Sequence, residues 1–242
     1  MKVLSIGNSF SQDAQRYLSR LSAAAGVKIK TVNLYIGGCN LRTHYLNMLN
    51  GSKSYGFEFC GEPTGIKVSL AEALTSDDWD VITLQQASRE SGKYDTYIPY
   101  IKELAAFVRK YCPKAKLMIH ETWAYEDASD RLKTAAGFNT ADEMLAAVRT
   151  AYKKAATDIC ADGIIPSGEA MMLATKLGIQ KIHRDSVHSS LGAGRYLLAL
   201  TWLGALTGKD IAGDRFEELD EPISETEREI AISAARCALG YN

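Results

Sequence analysis

The feature that most constrains the fold is the alternation of short apolar runs with segments of helical periodicity. Five runs read as buried strands, at residues 3–6, 27–34, 80–84, 116–120 and 164–166. Segments with apolar residues at three- and four-residue spacings separate them. Strands that alternate with helices favour right-handed crossovers and a parallel sheet that is covered on both faces. The pattern therefore predicts an α/β protein, a three-layer α/β/α sandwich with a five-stranded parallel sheet.

One stretch interrupts this alternation. Residues 55–60 and 66–68 read as two strands joined by a Gly/Pro turn, which is typical of a β-hairpin. We interpret it as an insertion at about 51–69, near the functional site, and not as a second domain. A chain of 242 residues could form one large or two small domains, but it contains no repeat, low-complexity tract or convincing linker. We therefore expect a single domain over residues 1–242.

Composition excludes several classes of function. A net charge of -1 without a Lys/Arg run argues against nucleic-acid binding, and no apolar run reaches the ~20 residues of a membrane span. The N-terminus enters a strand directly, without a basic and then apolar leader. As written the chain is expected to be cytoplasmic, or periplasmic or secreted if a signal segment has been removed. Five scattered cysteines predict reduced thiols and neither a disulfide framework nor a zinc site.

The turn after the first strand is the first candidate site. Gly7-Asn8 ends the strand, and helical spacing begins near Ser11. A turn of this kind places Ser9 at the carboxyl edge of the sheet, where open α/β sheets bind ligands, and it directs the N–H groups of the helix start towards that ligand. Ser9 could be a nucleophile, or Ser9 or Ser11 could simply be a helix N-cap, since Ser is a preferred residue at that position.

Two other segments could complete such a site. Gly37-Gly38 follows the second strand, and two glycines permit the dihedrals of an anion-stabilising turn or simply form a loop. Asp185 and His188 lie three residues apart, so the carboxylate could orient the imidazole as a base for a serine. Alternatively, Asp185 is an acid at a helix start that pairs with Arg184, and His188 is a polar loop residue.

Taken together, these segments resemble the SGNH/GDSL hydrolases. That family has Gly-Asn-Ser-like, Gly and amide blocks after the first three strands and Asp-x-x-His before the last helices. Four further strings are similar to a bacterial branch, common in gut Bacteroidetes, that is labelled only as a domain of unknown function; they lie at 84–88, 120–125, 165–170 and 185–197. The resemblance covers nearly the whole chain and implies a flavodoxin-like fold.

The resemblance implies a catalytic triad and an oxyanion hole. Ser9 would be the nucleophile, His188 the base and then the acid, and Asp185 the residue that orients His188. The backbone N–H groups of Ser9 and Gly38 match two of the three oxyanion donors. The third donor in that family is an Asn side chain, which this chain lacks.

We therefore expect Gln86, or else Gln85, to supply the missing amide. Loss of one oxyanion donor typically costs on the order of 100- to 1000-fold in rate. Trp123 and Tyr125 follow the fourth strand and could form an aromatic wall for a sugar or acyl group, or pack beneath the following loop. No cofactor or metal is predicted, because the histidines His44, His120 and His183 are dispersed.

The resulting hypothesis is a serine esterase that hydrolyses small acyl esters, with O-acetyl groups on carbohydrate as the substrate class. Its partner would be a small-molecule or glycan ester, with neither nucleic acid nor membrane involved, and the oligomeric state is left open. Segments 41–69 and 126–139 are expected to set specificity. Two alternatives stand beside it: a thioesterase or lysophospholipase with the same triad, and a carbohydrate-binding pseudoenzyme.

Overall fold

A computed structural model of the chain, which describes residues 1–241, contains a seven-stranded sheet flanked by helices. In chain order the strands are β1 Lys2–Gly7, β2 Lys30–Tyr35, β3 Tyr55–Phe59, β4 Glu62–Val68, β5 Val81–Leu84, β6 Lys116–His120 and β7 Gly163–Ile165. Their order across the sheet is β4-β3-β2-β1-β5-β6-β7. The α/β class predicted from sequence is confirmed.

The number of strands predicted from sequence is wrong. Five strands, β2-β1-β5-β6-β7, are parallel as expected, but the predicted hairpin joins the same sheet. β3 pairs antiparallel with β2 and β4 pairs antiparallel with β3. Because an unpaired edge strand exposes its N–H and C=O groups, the hairpin extends the sheet at β2 and leaves β4 as the new edge. This extension accounts for seven strands where five were predicted.

Nine α-helices connect and cover the strands within residues 1–241. They are α1 Ser9–Gln15, α2 Leu18–Ala24, α3 Leu41–Asn50, α4 Leu70–Thr75, α5 Tyr100–Tyr111, α6 Ala141–Asp158, α7 Ser167–Leu177, α8 Ala193–Thr207 and α9 Glu225–Leu239. Short 3-10 turns lie at Ser88–Glu90 and Tyr94–Thr96, and a π-helical turn at Leu132–Ala136. No helix in the described part of the chain combines the length and apolarity needed to cross a bilayer.

The strand order fixes where a site can form. The chain leaves β1 for β2 on one side and later returns to β5 on the other side of β1. In an open parallel sheet, ligands bind outside the carboxyl ends of the strands at this reversal of strand order. The segments that follow β1, β2 and β5 therefore meet at one edge. Below them, β1 contributes the fully buried Val3, Leu4 and Ile6 to the core.

Candidate active site

The turn that carries Ser9 is held by its own backbone and by Asn8. Gly7 ends β1, and a Cβ on Gly7 would lie only 2.1 Å from Ser11 Oγ, so the close approach requires glycine here. Asn8 is the N-cap of α1, with its Oδ1 accepting from the N–H of Phe10 at 2.9 Å. Ser9 is thereby the first helical residue, and its half-buried hydroxyl lies at the sheet edge. Asn8, rather than either serine, is the cap.

The loop between α7 and α8 forms a small hairpin that presents His188. Its base is a bridge between His183 and Ser189, and Arg184 N–H donates to the carbonyl of His188 at 2.9 Å. At its tip, Asp185 Oδ1 accepts the N–H groups of Val187 at 3.1 Å and His188 at 2.8 Å. Such an Asx turn fixes the loop locally and leaves the second carboxylate oxygen for the imidazole.

The structure brings the three residues of the predicted triad together. Ser9 Oγ lies 2.9 Å from His188 Nε2, and His188 Nδ1 lies 2.8 Å from Asp185 Oδ2. Asp185 Oδ2 can only accept while it is ionised, so Nδ1 carries the proton and Nε2 is free to accept from the serine hydroxyl. The three side chains thus form one hydrogen-bonded series, which is the arrangement that a Ser-His-Asp triad requires.

The charge of Asp185 suits the orienting role. Partial burial raises the pKa of this carboxyl, but hydrogen bonds from the backbone and ring of His188 and from the backbone of Val187 outweigh burial and lower the pKa to about 2. Asp185 is therefore ionised at neutral pH. An ionised carboxylate at Nδ1 stabilises the imidazolium that forms when His188 takes a proton.

Two backbone N–H groups are available as oxyanion donors. Within residues 1–241, neither Ser9 N–H nor Gly38 N–H has a protein acceptor. Gly38 is exposed and has a φ of +60°, a conformation that favours glycine. The carbonyl of the next residue, Cys39, accepts from Asn8 Nδ2 at 3.1 Å, which holds the glycine turn against the turn of Ser9.

Gln86 does not supply the third donor that the sequence predicted. Its side chain is fully buried, and its Nε2 donates to the carbonyl and the hydroxyl of Thr96, both at 3.1 Å. Its Oε1 accepts from the N–H groups of Leu41 and Ala87, both at 2.9 Å. Both Nε2 and Oε1 of Gln86 are therefore engaged within the fold, and Nε2 is not available to an oxyanion. Gln86 joins the start of α3 to the loop after β5.

Gln85 is also turned away from the reacting groups, into a buried network. Its Nε2 donates to Asn8 Oδ1 at 2.8 Å, so its Oε1 must accept from His120 Nδ1 at 2.7 Å. His120 Nε2 then accepts from Ser167 Oγ at 3.1 Å, and that oxygen accepts from Trp202 Nε1 at 3.3 Å. Burial lowers the pKa of His120 to about 3, so the whole network is neutral. It fixes the Asn8 amide from below.

Trp123 and Tyr125 do not form the predicted wall. Trp123 is fully buried, its ring stacks on Phe10 at a centroid distance of 4.0 Å, and its Nε1 donates to the carbonyl of Val187 at 2.8 Å. Tyr125 is also buried, with its hydroxyl 2.8 Å from Ser88 Oγ. Both residues are therefore structural, which corrects the sequence prediction. Trp123 thereby connects Phe10, which follows Ser9, with Val187, which precedes His188.

A buried ion cluster, which the sequence patterns did not predict, joins α1 to the loop of His188. Asp13 is fully buried on α1, and its two carboxylate oxygens accept from Arg184 Nη1 at 3.0 and 2.9 Å. Arg195 Nε also donates to Asp13 at 2.9 Å. Arg184 thus pairs with Asp13 and not with Asp185. The sequence does contain one indication of this cluster: Asp13 lies on the apolar face of α1, and a buried carboxylate requires partners.

A cysteine–histidine pair also lies near this edge. Cys39 Sγ lies 3.6 Å from His44 Nδ1. Burial raises the pKa of the Cys39 thiol to about 12 and lowers the pKa of His44 to about 3, so neither group ionises near neutral pH. Ser9, in contrast, has the Nε2 of His188 within hydrogen-bonding distance, at 2.9 Å.

Comparison with known proteins places the chain in a family. Residues 2–238 match the family model described as "Domain of unknown function (DUF4886)". A DUF4886 family protein from Bacteroides uniformis is 35% identical, with 100% of this chain and 95% of that chain covered and a TM-score of 0.92. No curated protein is significantly similar in sequence to this chain.

More distant structures share the fold. A candidate SGNH hydrolase from Slackia heliotrinireducens is 21% identical, with 85% of this chain and 98% of that chain covered and a TM-score of 0.61. A catalytic mutant of an acetylxylan esterase from Geobacillus stearothermophilus is 17% identical, with 85% and 94% covered and a TM-score of 0.54. The predicted resemblance to a Bacteroidetes-type branch of the SGNH/GDSL hydrolases is confirmed.

Proposed function

The chain belongs to the DUF4886 family, and from that premise we propose that it is a serine hydrolase that cleaves small acyl esters. The observation that carries the proposal is the hydrogen-bonded series Ser9–His188–Asp185, with separations of 2.9 and 2.8 Å. An unpaired serine is a poor nucleophile, whereas a serine within hydrogen-bonding distance of an oriented imidazole can lose its proton as it attacks.

The proposed reaction proceeds through an acyl-enzyme. Ser9 Oγ attacks the ester carbonyl while His188 Nε2 takes its proton, and Asp185 stabilises the resulting imidazolium. The N–H groups of Ser9 and Gly38 donate to the oxyanion of the tetrahedral intermediate. His188 then protonates the departing alcohol. Water, activated by the same imidazole, attacks the acyl carbonyl, and Ser9 leaves with its proton restored.

Two backbone donors are sufficient for this chemistry. Serine proteases of the chymotrypsin type stabilise their oxyanion with two backbone N–H groups. The engagement of Gln86 with Thr96 therefore predicts a weaker oxyanion hole than one with three donors, but not an absent one. For the substrate we propose O-acetyl groups on carbohydrate, which the family resemblance supports.

The direct test measures hydrolysis of p-nitrophenyl acetate and p-nitrophenyl octanoate by the wild type and by Ser9→Ala. We expect acetate turnover to exceed octanoate turnover and to fall by at least about 1000-fold in the variant. Ser88→Ala is a matched control because Ser88 is also half-buried at this edge but has no base beside it. Equal turnover by wild type and Ser9→Ala would sink the mechanism.

Two alternatives make different predictions in the same assay. A thioesterase or lysophospholipase with this triad would prefer the longer acyl chain. A carbohydrate-binding protein without turnover is the second candidate, favoured by the diversion of the Gln86 amide to Thr96. It predicts no hydrolysis of either ester by the wild type.

A further inference from the structure

An arginine beside the glycine turn has no role in the mechanism above. Arg89 lies on the 3-10 turn Ser88–Glu90, after β5, at the same sheet edge as Ser9. Its Nη1 lies 3.6 Å from the position that a Cβ on Gly38 would occupy. Because the carbonyl of Cys39 accepts from Asn8 Nδ2, this glycine turn lies against the turn of Ser9. The guanidinium is therefore adjacent to the proposed oxyanion site.

The terminal nitrogens of Arg89 are free to bind a ligand. The side chain is half exposed, and its nearest carboxylate oxygen is Glu90 Oε1, which lies 3.5 Å from Nε. That carboxylate accepts two hydrogen bonds from Asn40 Nδ2, at 3.0 and 3.1 Å. In the described part of the chain, Nη1 and Nη2 of Arg89 have no acceptor. Their N–H groups form a planar fork that matches the two oxygens of a carboxylate.

The backbone that carries Arg89 is firmly held. Ser88 Oγ lies 2.8 Å from the hydroxyl of buried Tyr125, and Ser91 Oγ donates to the carbonyl of Ser88 at 2.8 Å. The N–H of Glu90 closes the turn by donating to the carbonyl of Ala87 at 2.9 Å. A fixed base limits the conformational freedom that the side chain must lose on binding.

The pKa of Tyr125 is affected by the charges around Arg89. Burial raises the pKa of the phenol, and the hydrogen bond to Ser88 and the positive charges of Arg89 and Arg131 partly offset that rise. The negative charge of Asp185 acts on the same phenol in the opposite direction. Arg89 and the orienting carboxylate of the triad therefore lie within electrostatic reach of one hydroxyl, which agrees with the geometry at Gly38.

We propose that Arg89 binds a carboxylate on the alcohol part of the substrate, so that the preferred substrate is a small acyl ester of an acidic alcohol. The inference rests on the proposed function. A small acyl group leaves no room for the anion on the acyl side, so the anion belongs to the alcohol. A single guanidinium with two unpaired terminal nitrogens suits a monoanion. A doubly charged phosphate monoester would require a second cationic side chain in contact with it.

The test compares two probes that differ in charge but hardly in shape, 3-acetoxybenzoate and 3-acetoxybenzamide. The measured quantity is the ratio of kcat/KM for the benzoate to kcat/KM for the benzamide. We expect the wild type to favour the benzoate, and Arg89→Gln to lower the ratio about 10-fold because a charge-assisted bidentate contact is lost. Arg89→Lys should restore part of the ratio, since it returns the charge without the fork.

Arg131→Gln is the matched control, because Arg131 is an exposed arginine whose charge also reaches Tyr125. We expect it to leave the ratio unchanged. An equal fall in Arg131→Gln would indicate a long-range field and would overturn the assignment to Arg89. Equal losses for both probes in Arg89→Gln would do the same, since they would indicate a role in the reaction step and not in recognition.

A binding measurement separates this inference from the proposed function. Ser9→Ala and the double variant Ser9→Ala/Arg89→Gln are titrated with each probe by calorimetry. We expect the benzoate to bind Ser9→Ala more tightly than the benzamide, and to lose about 10-fold in Kd when Arg89 is also replaced. This result together with an inactive wild type would refute the proposed esterase activity and support the anion site at Arg89. Hydrolysis with no dependence on Arg89 in rate or binding would keep the esterase and refute the anion site.

Discussion

The two halves of the candidate site are held by different kinds of interaction. The turn of Ser9 rests on a buried, neutral hydrogen-bond network that runs from Asn8 through Gln85 and His120 to Ser167. The loop of His188 is instead joined to α1 by the ions Arg184 and Asp13, at 2.9 Å. One half therefore depends on satisfied neutral dipoles and the other on paired charges.

This difference sets how each half should fail. If Asp13 lost its charge, Arg184 would lose its carboxylate partner and Arg195 would keep only Asp220, at 2.6 Å. Breaking a buried ion pair is strongly destabilising. A neutral network tolerates salt, but it requires His120 to be neutral in the folded state. Burial lowers the pKa of folded His120 to about 3, so acid favours the unfolded state, in which this histidine can take up a proton. The ionic half should thus be sensitive to charge removal, and the neutral half to acid.

Replacing Asp13 by Asn should have the largest effect. Asp13 is fully buried, whereas Arg184 and Arg195 keep 28% and 13% of their side-chain surface exposed. We expect a loss of about 3 kcal/mol in the free energy of unfolding, because two guanidinium groups lose their shared charge partner. Urea unfolding monitored by circular dichroism measures it.

Glu218→Gln serves as the control for this variant, since it breaks an exposed ion pair with Arg20. It should change the unfolding free energy by no more than about 0.5 kcal/mol. Similar losses in both variants would show that the buried cluster has no special role in holding the histidine loop.

Replacing His120 by Gln should change how stability depends on pH. An unfolded histidine gains a proton below a pKa of about 6.5, whereas folded His120 stays neutral down to about 3, so the folded state loses stability as pH falls through this window. Between pH 6.5 and 4.5, the free energy of unfolding should fall by about 2 kcal/mol less in the variant than in the wild type. Urea unfolding at several pH values measures the slope.

His44→Gln offers an independent check, because burial lowers the pKa of His44 to about 3 as well. It should reduce the pH dependence by a similar amount. A slope that is unchanged in both variants would contradict the neutral state of these histidines in the fold.

Replacing Trp123 by Phe should give the smallest effect, and it tests the connection between the two halves. Phe can keep the stacking on Phe10, but it loses the N–H that donates to the carbonyl of Val187 at 2.8 Å. We expect a loss of about 1 kcal/mol in stability. We also expect kcat to fall several-fold with KM unchanged, because Val187 precedes His188, the proposed base.

Trp79→Phe is the matched control. Trp79 is also buried and donates to a backbone carbonyl, that of Ala73, at 3.0 Å, but it lies outside the site. It should cost similar stability without lowering kcat. Equal falls in kcat would show that Trp123 has no specific influence on the position of His188.

Local patterns were enough to predict much of this molecule. Apolar runs located the five parallel strands, and the carboxyl-edge rule marked the turn of Ser9 as a candidate site. The resemblance to the SGNH/GDSL hydrolases linked Ser9 with Asp185 and His188. The structure places those side chains in one hydrogen-bonded series. The assignment of a nucleophile and a base to that series stays a prediction.

The errors concern partners that only the tertiary structure selects. Gln86 has an amide of the expected type, but the close position of Thr96 decides where its N–H groups point. The partner of Asp13 lies 171 residues away in the sequence, at Arg184. Likewise, the hairpin was recognised from its turn, but its pairing with β2 depends on a free sheet edge that periodicity cannot reveal.

The central claim is that Ser9 is a nucleophile activated by His188, and covalent labelling tests it most directly. The wild type, Ser9→Ala and His188→Ala are incubated with a fluorophosphonate, digested and mapped by mass spectrometry. We predict an adduct on Ser9 in the wild type, much slower labelling in His188→Ala and no adduct at this position in Ser9→Ala. An unlabelled wild type, or an adduct on Ser11 or Ser88 instead, would contradict the account.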